Sequence, residues 1–202
     1  MGDASTSGAP EFVSNTLRQA GGNPKLLTLV LVHQGDRLLL GEKKRGFGVG
    51  YYNGFGGKLE PGETVEDAAQ RELEEEACIQ ADGMEHAGVL TFVFDDNPQP
   101  WEVHVFRVRA FAGTPSETEE MRPVWFPQDA PPFAQMWADD PFWYPLFLRG
   151  AHFNGLFAFT HSTQLVWHTL GETAAAAAVG GDAAALSGAI GACTWAARLG
   201  LL

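Results

Sequence analysis

The hydrophobic and polar positions along the chain first fall into a regular pattern near Lys25. Residues 26–33 form a dense run of leucine and β-branched side chains, and residues 37–40 form a second apolar run. Together they predict a β-hairpin whose turn lies at residues 34–36. Similar runs predict further strands at residues 88–94, 103–111, 123–126, 156–159 and 164–168.

Two segments among these strands carry helical signals. Residues 64–77 contain neither proline nor glycine, and Thr64 followed by Asp67 resembles a capping box at a helix start. Residues 140–149 predict a second helix with Pro141 at its first position. This mixture of helices and strands indicates a fold of the α+β class.

The two ends of the chain lack the pattern of its middle. Residues 1–24 are rich in small and polar residues without a sustained period, which predicts a flexible leader and ordered structure from about Lys25 onward. Residues 171–202 form an extension rich in alanine and glycine. We therefore expect one folded domain over residues 25–170, because domains usually have about 100 to 200 residues.

The chain is strongly acidic, since 13 basic and 25 acidic residues give a net charge of -12. This charge repels the backbone of nucleic acid at long range, so we expect no nucleic acid polymer among the partners. A small phosphorylated substrate is compatible with the charge if divalent cations bridge it to acidic side chains. Acidity and metal dependence are thus expected together.

Two cysteines, Cys78 and Cys193, lie far apart and indicate neither a disulfide framework nor a cysteine zinc site. The sequence has no run of 18 or more apolar residues, and its first 25 residues lack the apolar core of a signal peptide. We expect a cytoplasmic monomer without membrane association, with the nucleus or the mitochondrion as alternative compartments.

A cluster of carboxylates follows the glycine-rich segment 46–62, whose backbone can approach a ligand closely. Residues three and four apart share one helix face, so Glu72, Glu75 and Glu76 point the same way. Like charges at this spacing destabilise an isolated helix by roughly 0.2–0.5 kcal/mol per pair, so a compensating cation is expected. Mg2+ suits this role because it takes oxygen ligands and bridges carboxylates to phosphates. The alternative is an acidic helix face exposed to solvent.

The spacing of these glutamates belongs to a longer motif, which reads Gly57-x5-Glu63-x7-Arg71-Glu72-Leu73-x-Glu75-Glu76. The motif resembles the signature of the Nudix hydrolases, and this favours a metal-binding helix over a merely solvent-exposed one. Cys78 stands where the family pattern has glycine. A left-handed helix end at a residue other than glycine costs of order 1 kcal/mol. We interpret Cys78 as structural rather than catalytic.

Residues 27–170 resemble one group within this family, the oxidised purine nucleoside triphosphate hydrolases or 8-oxo-dGTP diphosphatases. The similar stretches are TLVLV, KKRGFG, NGFGGK, EVHVF, GTP, EEMRPVWF and MWADDPFWYPL. The resemblance implies the Nudix fold, an α-β-α sandwich around a mixed β-sheet. It also implies hydrolysis of 8-oxo-dGTP or 2-hydroxy-dATP to the monophosphate and pyrophosphate, which removes damaged precursors from the nucleotide pool and prevents DNA damage.

The resemblance further implies the metal ligands, which fall on the Gly56 carbonyl and on Glu72, Glu75, Glu76 and Glu120. Bound Mg2+ would orient the triphosphate and neutralise charge while water attacks phosphorus. Glu76 is the preferred general base and Glu120 the second choice. Arg71 is expected to orient the carboxylates, with Glu63 as its partner.

Substrate-binding residues are implied in the same way. Lys43 matches a family lysine that meets the phosphates, and the alternative is a solubilising loop lysine. The resemblance implies base-edge contacts for Asn53, Asp139 and Asp140, pocket surface for Phe47 and Trp137, and a place near the sugar for Thr28. Trp101 departs from the family, whose close members tend to carry a smaller residue there.

The adjacent acids Asp139 and Asp140 offer a way to read an altered purine edge. Burial and mutual repulsion would raise their pKa values and leave one of them protonated as a hydrogen-bond donor. A helix cap before Pro141 is a compatible alternative role. The aromatic residues that follow are expected in the core rather than in the site, namely Phe142, Trp143, Tyr144 and Phe147.

Two other functions stay open at this point. The first is a Nudix hydrolase of another diphosphate substrate, such as a nucleotide sugar or a dinucleotide. The second is a catalytically idle nucleotide-binding module, although the intact acidic cluster argues against it.

Overall fold

The computed structural model describes residues 8–174. The helices in this range are α1 (Glu11–Ala20), α2 (Val65–Ala77) and α3 (Asp140–Leu148). The strands are β1 (Lys25–Gln34), β2 (Arg37–Lys43), β3 (Tyr52–Asn53), β4 (Ile79–Ala81), β5 (Glu85–Phe94), β6 (Asn97–Val108), β7 (Phe111–Gly113), β8 (Met121–Pro127), β9 (His152–Thr160) and β10 (Gln164–Thr173). A short 3-10 helix, Phe133–Gln135, precedes α3. None of these helices is long and apolar enough to cross a membrane.

Eight of the strands form one mixed sheet. Its order is β10-β9-β5-β6-β1-β2-β3, and β8 also pairs with β2. The β1–β6 and β5–β9 pairs are parallel, whereas the other pairs of this sheet are antiparallel. Strands β4 and β7 form a separate two-stranded sheet. The predicted mixed sheet is therefore confirmed.

Helices cover both faces of the main sheet because successive residues of its central strands point in opposite directions. Leu29 and Leu31 of β1 belong to the hydrophobic cluster that contains Trp143 of α3. The intervening Val30 belongs to the cluster that contains Leu73 of α2. This layering is the α-β-α sandwich that the resemblance implied.

The prediction of a flexible leader over residues 1–24 is wrong for the segment that forms α1. Val13 and Leu17 lie one helical turn apart and are buried against a third cluster that includes Val93 of β5. Gly21 ends the helix in the left-handed conformation, with a φ of 57°. Ordered structure therefore begins before Lys25.

The remaining elements differ from the predictions mainly at their ends. Helix α2 starts after Thr64, whose hydroxyl accepts a hydrogen bond from the Asp67 backbone N–H at 3.0 Å. The strand predicted over residues 103–111 ends at Val108, because the chain then leaves the main sheet and β7 pairs with β4. Strand β10 runs to Thr173, and nearly all of the predicted alanine-rich extension lies outside the described residues.

Cys78 ends α2 in the left-handed conformation, with φ 58° and ψ 32°. Its backbone N–H donates to the Glu74 carbonyl at 2.9 Å, and its side chain is exposed. Cys78 thus adopts the left-handed conformation that was expected for this helix end, although it is not glycine.

Candidate active site

A cavity of about 610 Å³ lies against β1, β5 and β6 beside the N-terminus of α3. It is lined by every residue for which substrate contacts were predicted, namely Thr28, Lys43, Phe47, Asn53, Trp137, Asp139 and Asp140. Gly56 and Glu120, two of the predicted metal ligands, also line it. A cavity of this size suits a small-molecule ligand.

The aspartate pair at the start of α3 is almost completely buried, with Asp139 4% and Asp140 2% exposed. The Trp143 indole N–H donates to Asp139 at 3.0 Å, and the Trp137 backbone N–H donates to Asp140 at 2.9 Å. Burial raises the pKa of both carboxyl groups, and the charge of Asp139 raises the pKa of Asp140 further. A single proton on such a pair would leave one hydrogen-bond donor and one acceptor at the cavity.

The structure does not show the alternative role of this pair as a helix cap. Asp139 occupies the N-cap position of α3 but makes no capping hydrogen bond with its side chain. Its carboxylate is bonded to Trp143 instead.

An aromatic wall stands beside the pair. Phe47 stacks on Trp137, with ring centroids 4.9 Å apart and an interplanar angle of 18°, and Tyr51 contacts the same ring at 5.0 Å. Gly48, with a φ of 84°, makes this possible, because a Cβ there would lie 2.7 Å from the Trp137 ring. The loop before β3 thus presents flat apolar surface to the cavity, as purine stacking requires.

The glycine loop and α2 meet at two carboxylates. The Gly56 backbone N–H donates to Glu76 at 2.8 Å, and a Cβ on Gly57 would collide with the carboxylate of Glu72. Burial raises the pKa of Glu76 to about 7, although the Gly56 N–H and the charge of Lys43 act against this rise. A carboxyl group with such a pKa exchanges protons readily near neutral pH.

Arg71 joins two carboxylates of α2, Glu72 and Glu75, to Glu63 before the helix. Its guanidinium donates to Glu63 at 2.7 Å, to Glu72 at 2.8 Å and to Glu75 at 3.2 Å. It also donates to the Lys58 carbonyl at 3.1 Å, which ties the helix to the glycine loop. The hydrogen bond from Arg71 lowers the pKa of Glu63 to about 2. The structure therefore contains the expected contact between Arg71 and Glu63.

Glu120 reaches the cavity from the loop before β8 and forms an ion pair with Arg45. Sequence reasoning missed Arg45, although it directly follows Lys43 and Lys44 in a short basic run. Arg45 also lines the cavity, so it supplies positive charge on the same side as Lys43.

The predicted metal ligands are only partly brought together. Within residues 8–174, no three His, Cys, Asp or Glu side chains converge in an arrangement that could hold a metal ion. Glu72 and Glu76 meet the glycine loop. Arginines pair with Glu72, Glu75 and Glu120.

Trp101 contributes bulk to the cavity wall. Its ring packs edge-on against Phe94 at 4.9 Å, and the Lys25 ammonium lies 4.6 Å from its centroid. Burial and the neighbouring Lys58 lower the pKa of Lys25. Both lysines line the cavity and were not predicted as site residues.

Comparisons with known proteins identify the family and the fold. Residues 24–147 match the family described as the NUDIX domain. Over 148 residues the chain is 51% identical to an oxidized purine nucleoside triphosphate hydrolase of Danio rerio, covering 73% of this chain and 95% of that protein. It is 48% identical to the mouse (Mus musculus) protein of the same name, with the same coverage. The solved structure of a MutT protein from Bacillus halodurans matches with a TM-score of 0.65 at 25% identity, covering 72% of this chain and 97% of that one.

Proposed function

The chain belongs to the Nudix family, and we propose that it hydrolyses oxidised purine nucleoside triphosphates, such as 8-oxo-dGTP and 2-hydroxy-dATP, to the monophosphate and pyrophosphate. The observation that carries this proposal is one cavity with two chemically different ends. A buried aspartate pair and stacked aromatic rings suit a purine. Lys43, Gly56 and Glu120 line the same cavity, and the Gly56 N–H donates to Glu76 of α2. A nucleoside triphosphate needs both ends in one space.

Nudix hydrolases generally use a divalent metal, and we propose Mg2+ for this chain. The donors that would hold it are all oxygens, on Gly56, Glu72, Glu75, Glu76 and Glu120, as a hard cation prefers. The absence of a side chain at Gly57 leaves the space in which the Glu72 carboxylate lies against the loop, and this supports a cation site between the helix and the loop. Bound there, Mg2+ would neutralise charge on the triphosphate.

The protein side chains have distinct roles in the proposed reaction. The oxygen of a water molecule attacks phosphorus, and the phosphoanhydride bond between the α and β phosphates breaks to release pyrophosphate. Glu76 accepts the proton of that water, because it is buried and its pKa of about 7 lets it act near neutral pH. Arg71 keeps Glu72 and Glu75 oriented, and Lys43 offers a point charge to the phosphates.

A turnover panel tests the proposal. The full chain would be incubated with Mg2+ and with 8-oxo-dGTP, 2-hydroxy-dATP, dGTP, dATP, a nucleotide sugar or a dinucleotide, and pyrophosphate release and product masses would be measured. We expect faster pyrophosphate release from the oxidised purines than from dGTP and dATP. Cleavage of only the nucleotide sugar or dinucleotide would instead support a different Nudix activity. Binding without any turnover would support an idle module.

We further propose that the chain works as a monomer in the cytoplasmic nucleotide pool and does not bind nucleic acid polymers. The net charge of -12 supports the last of these statements. Light scattering of the purified chain would test whether it is a monomer. A binding assay with duplex DNA at low salt would test whether it binds nucleic acid.

A further inference from the structure

Tyr144 in α3 buries a hydroxyl group that has no hydrogen-bond partner among the residues the structure describes. The residue is 0% exposed. An unpaired buried hydroxyl is destabilising and uncommon in folded proteins. A phenylalanine would fill the same space without this cost, so the hydroxyl calls for an explanation.

The position of Tyr144 in α3 supplies one. Helical side chains lean toward the N-terminus, so residues four apart lie on one face, one above the other. Trp143 shows this geometry toward Asp139, to which its indole N–H donates at 3.0 Å. Tyr144 stands in the same relation to Asp140. Burial raises the pKa of Tyr144, and the charges of Asp140 and Asp139 raise it further, as expected for neighbours.

The ring of Tyr144 is fixed by its neighbours. It packs edge-on against Phe133 at 5.6 Å and contacts the rings of Trp143 at 4.4 Å and Phe147 at 6.4 Å. The ring is therefore held in place, so the hydroxyl meets the Asp140 carboxylate only when that carboxylate turns toward it.

We propose that Tyr144 is a positioning residue for purine recognition: its hydroxyl donates to the Asp140 carboxylate when that group loses its proton. It thereby sets the pH range over which the pair offers one donor and one acceptor. The inference rests on the proposed function, because that function assigns the pair to the purine. A hydrogen bond to a charged carboxylate favours the charged form, so the hydroxyl makes Asp140 ionise at lower pH than it otherwise would.

Other titratable groups contact α3 away from this point. His33 of β1 and Arg107 of β6 face the ring of Phe147, at 6.3 Å and 4.5 Å, and His168 of β10 faces Phe142 at 4.2 Å. The further charged residues that line the cavity are Lys25, Lys43, Arg45, Lys58 and Glu120. The largest charge effect on Asp140 comes from Asp139, which makes the pair the unit to be titrated.

The test is Tyr144→Phe, which removes only the hydroxyl oxygen. The affinity for 8-oxo-dGMP would be measured by calorimetry from pH about 6 to about 10 without divalent metal, so that metal binding and Glu76 chemistry do not contribute. Affinity should fall at high pH as Asp140 ionises, and in the variant this fall should move up by about one pH unit. Ionisation of the purine itself affects all variants alike.

The matched control is Tyr52→Phe, which removes a tyrosine hydroxyl that faces Glu42 rather than the pair. Tyr144→Met also lacks the hydroxyl and must show the same displacement as Tyr144→Phe. The inference is overturned if the fall in affinity stays in place, moves to lower pH, or moves equally in the control. A uniform loss of affinity at every pH would mark Tyr144 as merely structural and would overturn it too.

Failure of this inference is separate from failure of the proposed function. If the unmodified chain neither binds 8-oxo-dGMP nor hydrolyses any oxidised purine triphosphate, the proposed function is wrong. If it does both and Tyr144→Phe has an unchanged pH profile, only the role of Tyr144 is wrong.

Discussion

Replacing Asp139 by asparagine should make the chain more stable at neutral pH. Asp139 is 4% exposed, and its carboxylate accepts one hydrogen bond from the Trp143 indole. An asparagine carbonyl can accept the same bond, so Asp139→Asn removes the ionisable group and little else. Burial raises the pKa of Asp139 from 3.8 to about 6. A group with a raised folded-state pKa contributes stability that is present below its unfolded pKa and is lost as pH rises through the folded value.

The magnitude follows from this rise in pKa. About two pKa units correspond to about 3 kcal/mol at 1.36 kcal/mol per unit. The unmodified chain should lose this much stability as pH rises from about 4 to beyond about 6, and Asp139→Asn should not. Removing the charge also relieves Asp140, which acts in the same direction. We expect the variant to have a free energy of unfolding about 2 to 3 kcal/mol higher at pH about 7.5, and an equal one at pH about 4.

Urea unfolding at the two pH values measures this difference. Asp129→Asn, at an exposed position, is the control and should change stability little at either pH. The reasoning is refuted if Asp139→Asn gains no stability at the higher pH, or gains the same amount at both. The gain in stability should be accompanied by weaker discrimination of oxidised purines, because Asp139 is proposed to contact the purine. Functional groups are commonly retained at the expense of stability.

Three further predictions concern α2 and the glycine loop. Glu76→Gln should lower turnover of 8-oxo-dGTP by about 10²- to 10⁴-fold while nucleotide affinity stays intact. The control Glu74→Gln, at an exposed position of the same helix, should change neither turnover nor affinity. An equal loss of turnover in both variants would contradict the assignment of the base. Gly57→Ala should displace the Glu72 carboxylate of α2 and reduce Mg2+-dependent turnover, with little change in Tm because the displaced group is the end of a flexible side chain. The control is Gly171→Ala, where an added Cβ meets nothing within 4 Å. Unchanged turnover in Gly57→Ala would count against the proposed metal site. Cys78→Gly should raise the free energy of unfolding, measured in urea, by about 1 kcal/mol or less. The reason is that glycine relieves the strain of the left-handed backbone at this position by more than its added entropy stabilises the unfolded chain. A lower free energy of unfolding would contradict this prediction.

Local signals in the sequence were sufficient for α2 but not for α1. An uninterrupted run of helix-compatible residues and the Thr64 cap define the start of α2 without reference to the rest of the fold. Helix α1 has ten residues in a segment rich in small and polar side chains, and its Val13 and Leu17 gain stability only by packing on the sheet. Strands β3 and β4, with two and three residues, depend equally on partners distant in sequence.

The candidate site divides in the same way. Helical spacing alone predicts that Glu72, Glu75 and Glu76 share one helix face. The pairing of Glu120 with Arg45 joins residues 75 positions apart, and no local pattern indicates which cation meets which carboxylate. Tyr144 was correctly expected in the core, whereas the same expectation was wrong for Phe142, which is 43% exposed. The four-residue spacing was enough to predict that Tyr144 lies on the same helix face as Asp140. The burial of the aspartate pair, however, depends on how α3 packs on the sheet, and no local pattern predicts it.

The three motif glutamates of α2, Glu72, Glu75 and Glu76, differ in their surroundings, and this difference supports the choice of Glu76 as the general base. Glu72 and Glu75 form ion pairs with Arg71, so their carboxylates are positioned as charged groups that can serve a cation. Glu76 is 3% exposed, and burial raises its pKa to about 7, so it can gain and lose a proton near neutral pH. A carboxyl group whose pKa lies near the working pH is suited to general-base catalysis. Three equally exposed glutamates at the same spacing would offer ligands for a metal but no general base.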